Sequence, residues 1–278
     1  MTEERAAVRP YDIYIIGTGI KWIEHITLES DRILGQCNEI LYVEKAPGIE
    51  SYFNTKASIV TDLTKLYGED KHRELTYREM AAKVIHSALQ RGPVAFAVYG
   101  HPTIYAYPPF LVSEMAHLLG LRVKVLPGIS AMDCLFSDLM IDPSVNGLQM
   151  YEATDLLLRR HTLSPEAAAI IWQVGSIGTA LYSTTLSAPE RFHAFRDYLL
   201  GYYPADHPVY AYFANPHPML RAEIHEMKVS EVPEFSEVLH AAVTLYLPPV
   251  NVKRDVDPDM IAHLTDPGYL RTVTRPIS

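Results

Sequence analysis

Cysteine is scarce in this sequence: a chain of 278 residues carries two, Cys37 and Cys134. They stand far apart and form no C-x-x-C, which excludes a disulfide framework and suits a reducing compartment. Long apolar runs are missing as well, and the opening "MTEERAAVRP" is charged, with no apolar h-region. Neither a membrane span nor a targeting segment is expected, and the chain reads as cytoplasmic. Positive charge is in deficit, with 24 Lys and Arg against 33 Asp and Glu and a net charge of −9. A chain so charged has no general attraction for phosphate backbones or anionic lipid, so nucleic acid and membrane surfaces are poor partners.

Several motifs are missing too. The 12 histidines form no H-E-x-x-H and no other ligand spacing, so no metal site is expected. No G-x-S-x-G elbow precedes a helix, which leaves a hydrolase triad unsupported. Gly17-Thr18-Gly19 follows an apolar run, yet the third glycine of G-x-G-x-x-G would fall at Trp22, whose bulk would obstruct close helix approach. This excludes a dinucleotide site and leaves the loop as a candidate lip of a cleft.

What is present is a globular chain, 48% hydrophobic, large enough for one big domain or two of ordinary size. Strand-like "YDIYIIGTG", "EILYVE", "VAFAVYG" and "RVKVLPG" alternate with helical spacings in "ITLESDRILGQC", "TYREMAAKVIHSALQRG", "PFLVSEMAHLLG" and "SAMDCLFSDLM". Repeated βα units predict a mostly parallel sheet with helices on its faces. A second set, from "LQMYEA" to "AAVTLYLPP", has late strands with little helix between them, so its sheet is expected to be mixed. The turn-rich "MIDPSVNG" marks the boundary. The predicted organisation is an N-terminal α/β domain over 1–143, a C-terminal α/β domain over 144–250, and an extended tail over 251–278.

Two stretches raise chemical questions. "VAFAVYGHPTIYAYP" runs as a buried strand and halts at Gly100-His101-Pro102, either as a simple turn or because a ligand needs the backbone nearby. "DLTKLYGEDKHRELTYREM" places Tyr67, Arg73 and Tyr77 in and just after a polar loop. A guanidinium beside a tyrosine can favour its phenolate, giving a base or a strong acceptor. Spacing alone leaves open a solvated loop whose tyrosines cover nearby helices. Ser130, in "VLPGISAMD", reads as a helix N-cap whose neighbouring amides could bind a carboxylate.

"VYGHPTIYAYP", "LPGISAMDCLFSDLMIDPSVNGLQMYEATDLLLR" and "IIWQVGSIGTA" together resemble the borosin peptide backbone α-N-methyltransferases, within the tetrapyrrole methylase superfamily. The resemblance runs from Tyr11 to about Pro249. It implies a two-domain, class III methyltransferase fold with S-adenosylmethionine in the cleft between the domains and S-adenosylhomocysteine as product. By that analogy Tyr99, His101, Thr103, Ile104 and Tyr105 surround the cofactor, with Ser130 and Ala131 at a helix start whose amides suit the methionine carboxylate and Gln173, Tyr212, Ala214 and Thr244 on the adenosine side. Tyr67, Arg73 and Tyr77 match the groups that bind and activate the substrate amide, Tyr77 being the expected base or proton relay. Two positions depart from the fungal pattern: Thr64 replaces a further tyrosine, and Thr103 a glycine.

The resemblance further implies α-N-methylation of a peptide, a homodimer and, with its precursor, a possible heterotetramer. Fungal members carry their substrate as a C-terminal extension, whereas this tail holds Pro258, Pro267 and Pro276 and no run of Val, Ile and Gly. Proline has no backbone N–H to methylate, so the expected substrate is a separate precursor peptide, as in the split bacterial arrangement. A tetrapyrrole or other small-molecule methyltransferase is the alternative, and a catalytically silent peptide-binding subunit is a third reading.

Overall fold

The computed structural model of the chain describes residues 11–250 and 256–275. The N-terminal residues 1–10, read above for targeting signals, and parts of the tail, 251–255 and 276–278 with Pro276, lie outside the described residues. The first half runs β1 (Ile13–Gly17), α1 (Leu28–Leu34), β2 (Glu39–Val43), α2 (Ile49–Asn54), β3 (Ile59–Asp62), α3 (Arg73–Arg91), β4 (Val94–Val98), α4 (Tyr107–Leu118), β5 (Val123–Leu126) and α5 (Ala131–Leu139). Its strands form one parallel sheet in the order β3-β2-β4-β1-β5. Both faces are covered, which is why β1 and β4 are continuously apolar rather than alternating. Ile13 and Ile15 face the core under α3 and α4, while Tyr14 and Ile16 face the core under α1 and α2. Each such buried isoleucine contributes roughly 1.5–3 kcal/mol.

The second half runs β6 (Leu148–Glu152), α6 (Ala153–Arg159), β7 (Ala168–Trp172), α7 (His193–Leu200), β8 (Pro208–Phe213), β9 (Glu223–Lys228) and β10 (Thr244–Leu247). Its sheet, ordered β6-β7-β10-β8-β9, is mixed: β6 and β7 are parallel and the other neighbours antiparallel. One face packs on α6 and α7 around Phe192, Phe195 and Leu199. The other packs on α5, so Cys134 and Leu135 sit among Ile170, Trp172, Tyr212 and Tyr246. Tyr212 Oη fixes this arrangement by donating to Asp138 Oδ2 at 2.6 Å.

Three glycines explain how the first sheet ends. A Cβ on Gly17 would stand 2.6 Å from the Gly100 carbonyl oxygen, and one on Gly128 would stand 2.4 Å from the same atom. The carboxyl ends of β1, β4 and β5 therefore meet backbone to backbone, and Gly100 turns there with φ +71°. No helix opens at Gly19: Trp22 starts a short 3-10 turn, and α1 begins only at Leu28.

The tail corrects the sequence reading. Residues 258–273 are not extended but form α8 (Pro258–Leu264) and α9 (Pro267–Val273), both exposed. Asp257 and Asp266 cap them, each accepting from the helix's first turn, and Pro258 and Pro267 occupy first-turn positions where the missing N–H costs nothing.

Candidate active site

Tyr67, Arg73 and Tyr77 converge at the junction of the two sheets. Helix α3 starts at Arg73, earlier than its apolar pattern suggests, because His72 caps it through Nδ1. Arg73 therefore belongs to the first helical turn rather than to the polar loop, and Tyr77 stands one turn further on the same face. Tyr67 caps the end of a 3-10 turn, Leu63–Leu66, that Asp62 begins. Lys71 pins the connecting loop through Leu66 O at 2.9 Å and Glu79 Oε2 at 2.5 Å.

A loop after β7 completes the cluster from the other side. Arg73 N donates to Ala180 O, Asp70 N to Tyr182 O and Tyr182 N to Lys71 O, at 2.9, 3.0 and 2.9 Å. Arg73 Nη2 reaches Thr179 O at 2.5 Å. The Tyr182 ring stacks on Tyr67 with centroids 4.7 Å apart, and Tyr67 meets Tyr77 edge-on at 6.4 Å.

Electrostatics correct the expected phenolate. Burial is the largest influence on both phenols and pushes both upward, outweighing the guanidinium. Their mutual interaction is unequal: Tyr77 raises Tyr67 further, while Arg73 and Tyr67 draw Tyr77 back down. Both are neutral phenols at rest, with Tyr77 the less strongly raised of the two.

Two cavities flank this cluster. A groove of about 700 Å³ is lined by Arg73, Tyr77, Tyr105, Tyr107, Gln173 and Thr179, among others. A smaller one of about 380 Å³ is lined by Tyr67, Tyr99, Tyr182, Phe213, Glu44 and Thr64. Thr64 thus lies in the same cavity as Tyr67, its hydroxyl donating to Asp62 at 2.6 Å. Glu44 is nearly buried and accepts from Thr18 Oγ1 at 3.0 Å, Lys45 N at 2.7 Å and Ala46 N at 2.9 Å. Burial pushes its carboxyl up and those bonds pull it back.

The residues assigned to the cofactor divide. Ile104, Tyr105, Ala131, Tyr212 and Ala214 share one apolar cluster between α5 and the second sheet. Thr244 pairs with Tyr212 across β10 and β8, which puts it on the same face. Gln173 Nε2 donates to Tyr105 O at 3.1 Å, and Tyr105, at φ +49°, stacks on Trp172 at 5.1 Å. Tyr99 instead lines the smaller cavity, and His101 turns toward Thr103, whose amide lies 3.2 Å from its Nδ1. Ser130 is the N-cap of α5 that the sequence suggests: its amide donates to Asp133 Oδ2 at 2.6 Å and its Oγ accepts from Asp133 N at 3.3 Å, closing a capping box.

Trp172 Nε1–H is buried with no partner. A buried donor left so costs about 1–3 kcal/mol. Beside the stacked Tyr105 it fits a flat, acceptor-bearing ligand such as a nucleoside, the kind of group S-adenosylmethionine carries. Sequence reasoning missed Trp172, Glu44, Tyr182 and the Thr179 carbonyl. Among the described residues no group of three His, Cys, Asp or Glu is placed to hold a metal ion, and no helix is long and apolar enough to cross a membrane.

Known proteins match this architecture. Residues 12–215 match the family described as Tetrapyrrole (Corrin/Porphyrin) Methylases, and the chain belongs to that family. It is 34% identical over 244 residues to the methyltransferase/ribosomally synthesized type III borosin cyclic peptide precursor of Anomoporia bombycina, covering 87% of this chain and 28% of that protein. It is 30% identical over 261 residues to the methyltransferase/dendrothelin A precursor of Dendrothele bispora, covering 93% and 62%. With the methyltransferase/omphalotin A precursor of Omphalotus olearius it shares 32% over 237 residues, covering 84% and 57%. The chain thus spans only part of each of these relatives, from 28% to 62% of their length. Among solved structures, uroporphyrin-III-C-methyltransferase from Thermus thermophilus superposes with a TM-score of 0.60 at 16% identity, covering 85% of this chain and 91% of that one. The methyltransferase CobJ gives 0.60 at 14%, covering 88% and 96%. At such identity the likeness concerns the fold.

Proposed function

We propose that this chain methylates backbone amide nitrogens of a peptide, using S-adenosylmethionine. The observation that carries the reading is that Arg73 and Tyr77 line an open groove of about 700 Å³, with Tyr67 packed edge-on against Tyr77 from the smaller cavity beside it. The names of the relatives, which join methyltransferase to peptide precursor, support the same substrate class.

An amide nitrogen is a poor nucleophile because its lone pair is delocalised into the carbonyl. When bound, S-adenosylmethionine supplies an electrophilic methyl group on a cationic sulfur. Trp172, Tyr105, Ala131, Tyr212 and Ala214 would hold it, and the glycine junction lets backbone approach. Arg73, with one Nη committed to Thr179, keeps other N–H donors for the substrate carbonyl oxygen and stabilises the negative charge that grows there. Tyr67, the more strongly protonated phenol, donates a hydrogen bond to that carbonyl. Tyr77 acts from its ionised fraction, which has released its proton to solvent and which Arg73 and Tyr67 favour, and that phenolate takes the amide proton. Stacking of Tyr182 on Tyr67 holds the phenol in place and keeps water from one side of it.

The reading extends to the assembly. The substrate in this reading is a precursor peptide other than residues 256–275, whose α8 and α9 are helical and exposed and begin with prolines that have no N–H. The catalytic chain forms a dimer, for which exposed Leu75 and Leu89 on α3 and Phe110 and Leu118 on α4 supply apolar surface. Incubation with S-adenosylmethionine and a synthetic Val/Ile/Gly peptide, followed by fragment-ion mass spectrometry, tests the activity.

A further inference from the structure

A third cavity, of about 380 Å³, opens beside the candidate active site and differs from it in character. It shares Thr179 with the large groove, and Lys45 and Tyr182 with the smaller cavity. Its lining holds two cations, Lys45 and Arg191, with hydroxyls of Ser183, Thr184, Thr185 and Ser187, and no aspartate or glutamate. In a chain of net charge −9 this is a local excess of positive charge.

Arg191 is held but not neutralised. Its Nε donates to Ile177 O and its Nη1 to Ser187 Oγ, both at 2.6 Å, while Nη2 is buried without a partner. Among the described residues neither Arg191 nor Lys45 forms a salt bridge. Arg73 stands close enough for its charge to add to the field on Arg191. His240, also in the lining, contributes no charge at neutral pH because burial lowers its pKa. Two carboxylates outside the lining are near: Glu223, whose charge reaches His240, and exposed Glu69, which bonds Ser183 and accepts from the amide and hydroxyl of Thr184 at 3.1 Å each. That bond satisfies Thr184 and leaves Arg191 and Lys45 without an acid. A partly buried guanidinium without a counter-charge is costly, and a carboxylate brought by a ligand would complete it with charge-assisted hydrogen bonds.

We propose that this cavity is a carboxylate-binding subsite of the peptide groove, taking an acidic side chain or the C-terminal carboxylate of the peptide held at Tyr67, Arg73 and Tyr77. The proposal rests on the peptide reading above. The amino-acid carboxylate of the cofactor offers the same chemistry, and the experiment separates the two sources.

Isothermal calorimetry on the full chain would compare a short Val/Ile/Gly peptide with a free or amidated C-terminus, the amidated peptide with one Glu or one Gln, and S-adenosylhomocysteine. The native chain should bind the free-acid or Glu peptide roughly tenfold more tightly than its neutral counterpart. Lys45→Met and Arg191→Gln should erase that preference and leave S-adenosylhomocysteine affinity unchanged; exposed Lys45 supplies a variant that folds if Arg191→Gln does not. A roughly tenfold loss of S-adenosylhomocysteine affinity with peptide preference intact would assign the cavity to the cofactor and overturn the peptide assignment. Equal binding of charged and neutral peptides by all three proteins would overturn the subsite altogether. Carboxylate-selective binding without any methyl transfer would sink the catalytic reading alone.

Discussion

Arg73 Nη2 donates to the carbonyl of Thr179 at 2.5 Å across a sequence separation of 106 residues, tying the first turn of α3 to the loop after β7. The bond both shapes the groove and aims the guanidinium. Arg73→Lys keeps the charge but not the planar fork, so one ammonium cannot serve Thr179 and a substrate carbonyl together. We expect methyl transfer to fall about 10²-fold or more. Hydrogen exchange should report faster opening at the Tyr182 amide.

Tyr77→Phe removes the proposed proton acceptor and should lower kcat about 10²–10⁴-fold. Tyr67→Phe should cost less, since it removes a donor rather than the base. Calorimetry with S-adenosylhomocysteine should find the same affinity in both variants. Equal turnover by Tyr77→Phe would remove it from the mechanism.

The raised phenols give a definite pH dependence. A base that must lose its proton, with its pKa above the usual value of about 10, makes the rate climb with pH throughout the neutral range and beyond. Stability moves the opposite way. A folded-state pKa above the unfolded one gives stabilisation that is complete below the unfolded value and lost as pH rises through the folded one. Tyr67 and Tyr77 are raised, and Tyr105 is pushed up to about 12, so stability should decline above about pH 10. Denaturant titrations at a series of alkaline pH values check this.

Gly128→Ala would place a methyl group 2.4 Å from the Gly100 carbonyl oxygen and 2.8 Å from Gly17 Cα. Gly17 C stands equally near at 2.8 Å, and all three contacts are backbone, so relief requires the strand ends to separate. The expected cost is about 1–3 kcal/mol, seen as a Tm several degrees lower. S-adenosylhomocysteine binding should weaken with it, because the same junction borders the cluster proposed to hold the cofactor.

Much of this was legible in the sequence. The first sheet announces itself because strands buried on both faces are continuous apolar runs, and the second sheet's mixed character follows from strands without helices between them. Strand β3 is missed because "IVTD" is a half-exposed edge, and α2 because it spans little more than one turn. The tail was misread because Asp-Pro marks a helix start as well as a break. Tyr67, Arg73 and Tyr77 could be singled out, but not their environment: Thr179 lies in "IIWQVGSIGTA" and Tyr182 just beyond it, and both reach the cluster only through contacts distant in sequence. Nor could the sequence show that burial would outweigh Arg73 in setting the phenols.

Trp172 offers a direct optical probe, since the chain has only two tryptophans and Trp22 lies in the loop after β1. Titration with S-adenosylhomocysteine should change its fluorescence. Trp172→Phe should lose that signal and weaken affinity about tenfold, the cost of the missing donor. Unchanged affinity would place the ligand elsewhere.

The central claim is that the methyl group goes to a backbone nitrogen of a peptide. Fragment-ion mass spectrometry tests it most directly, with the chain, S-adenosylmethionine, a synthetic Val/Ile/Gly peptide and uroporphyrinogen III in one reaction. The account predicts single-methyl increments on the peptide, localised to backbone nitrogens and lost in Tyr77→Phe, with the chain itself unmodified. An unmodified peptide beside methylated uroporphyrinogen would contradict it.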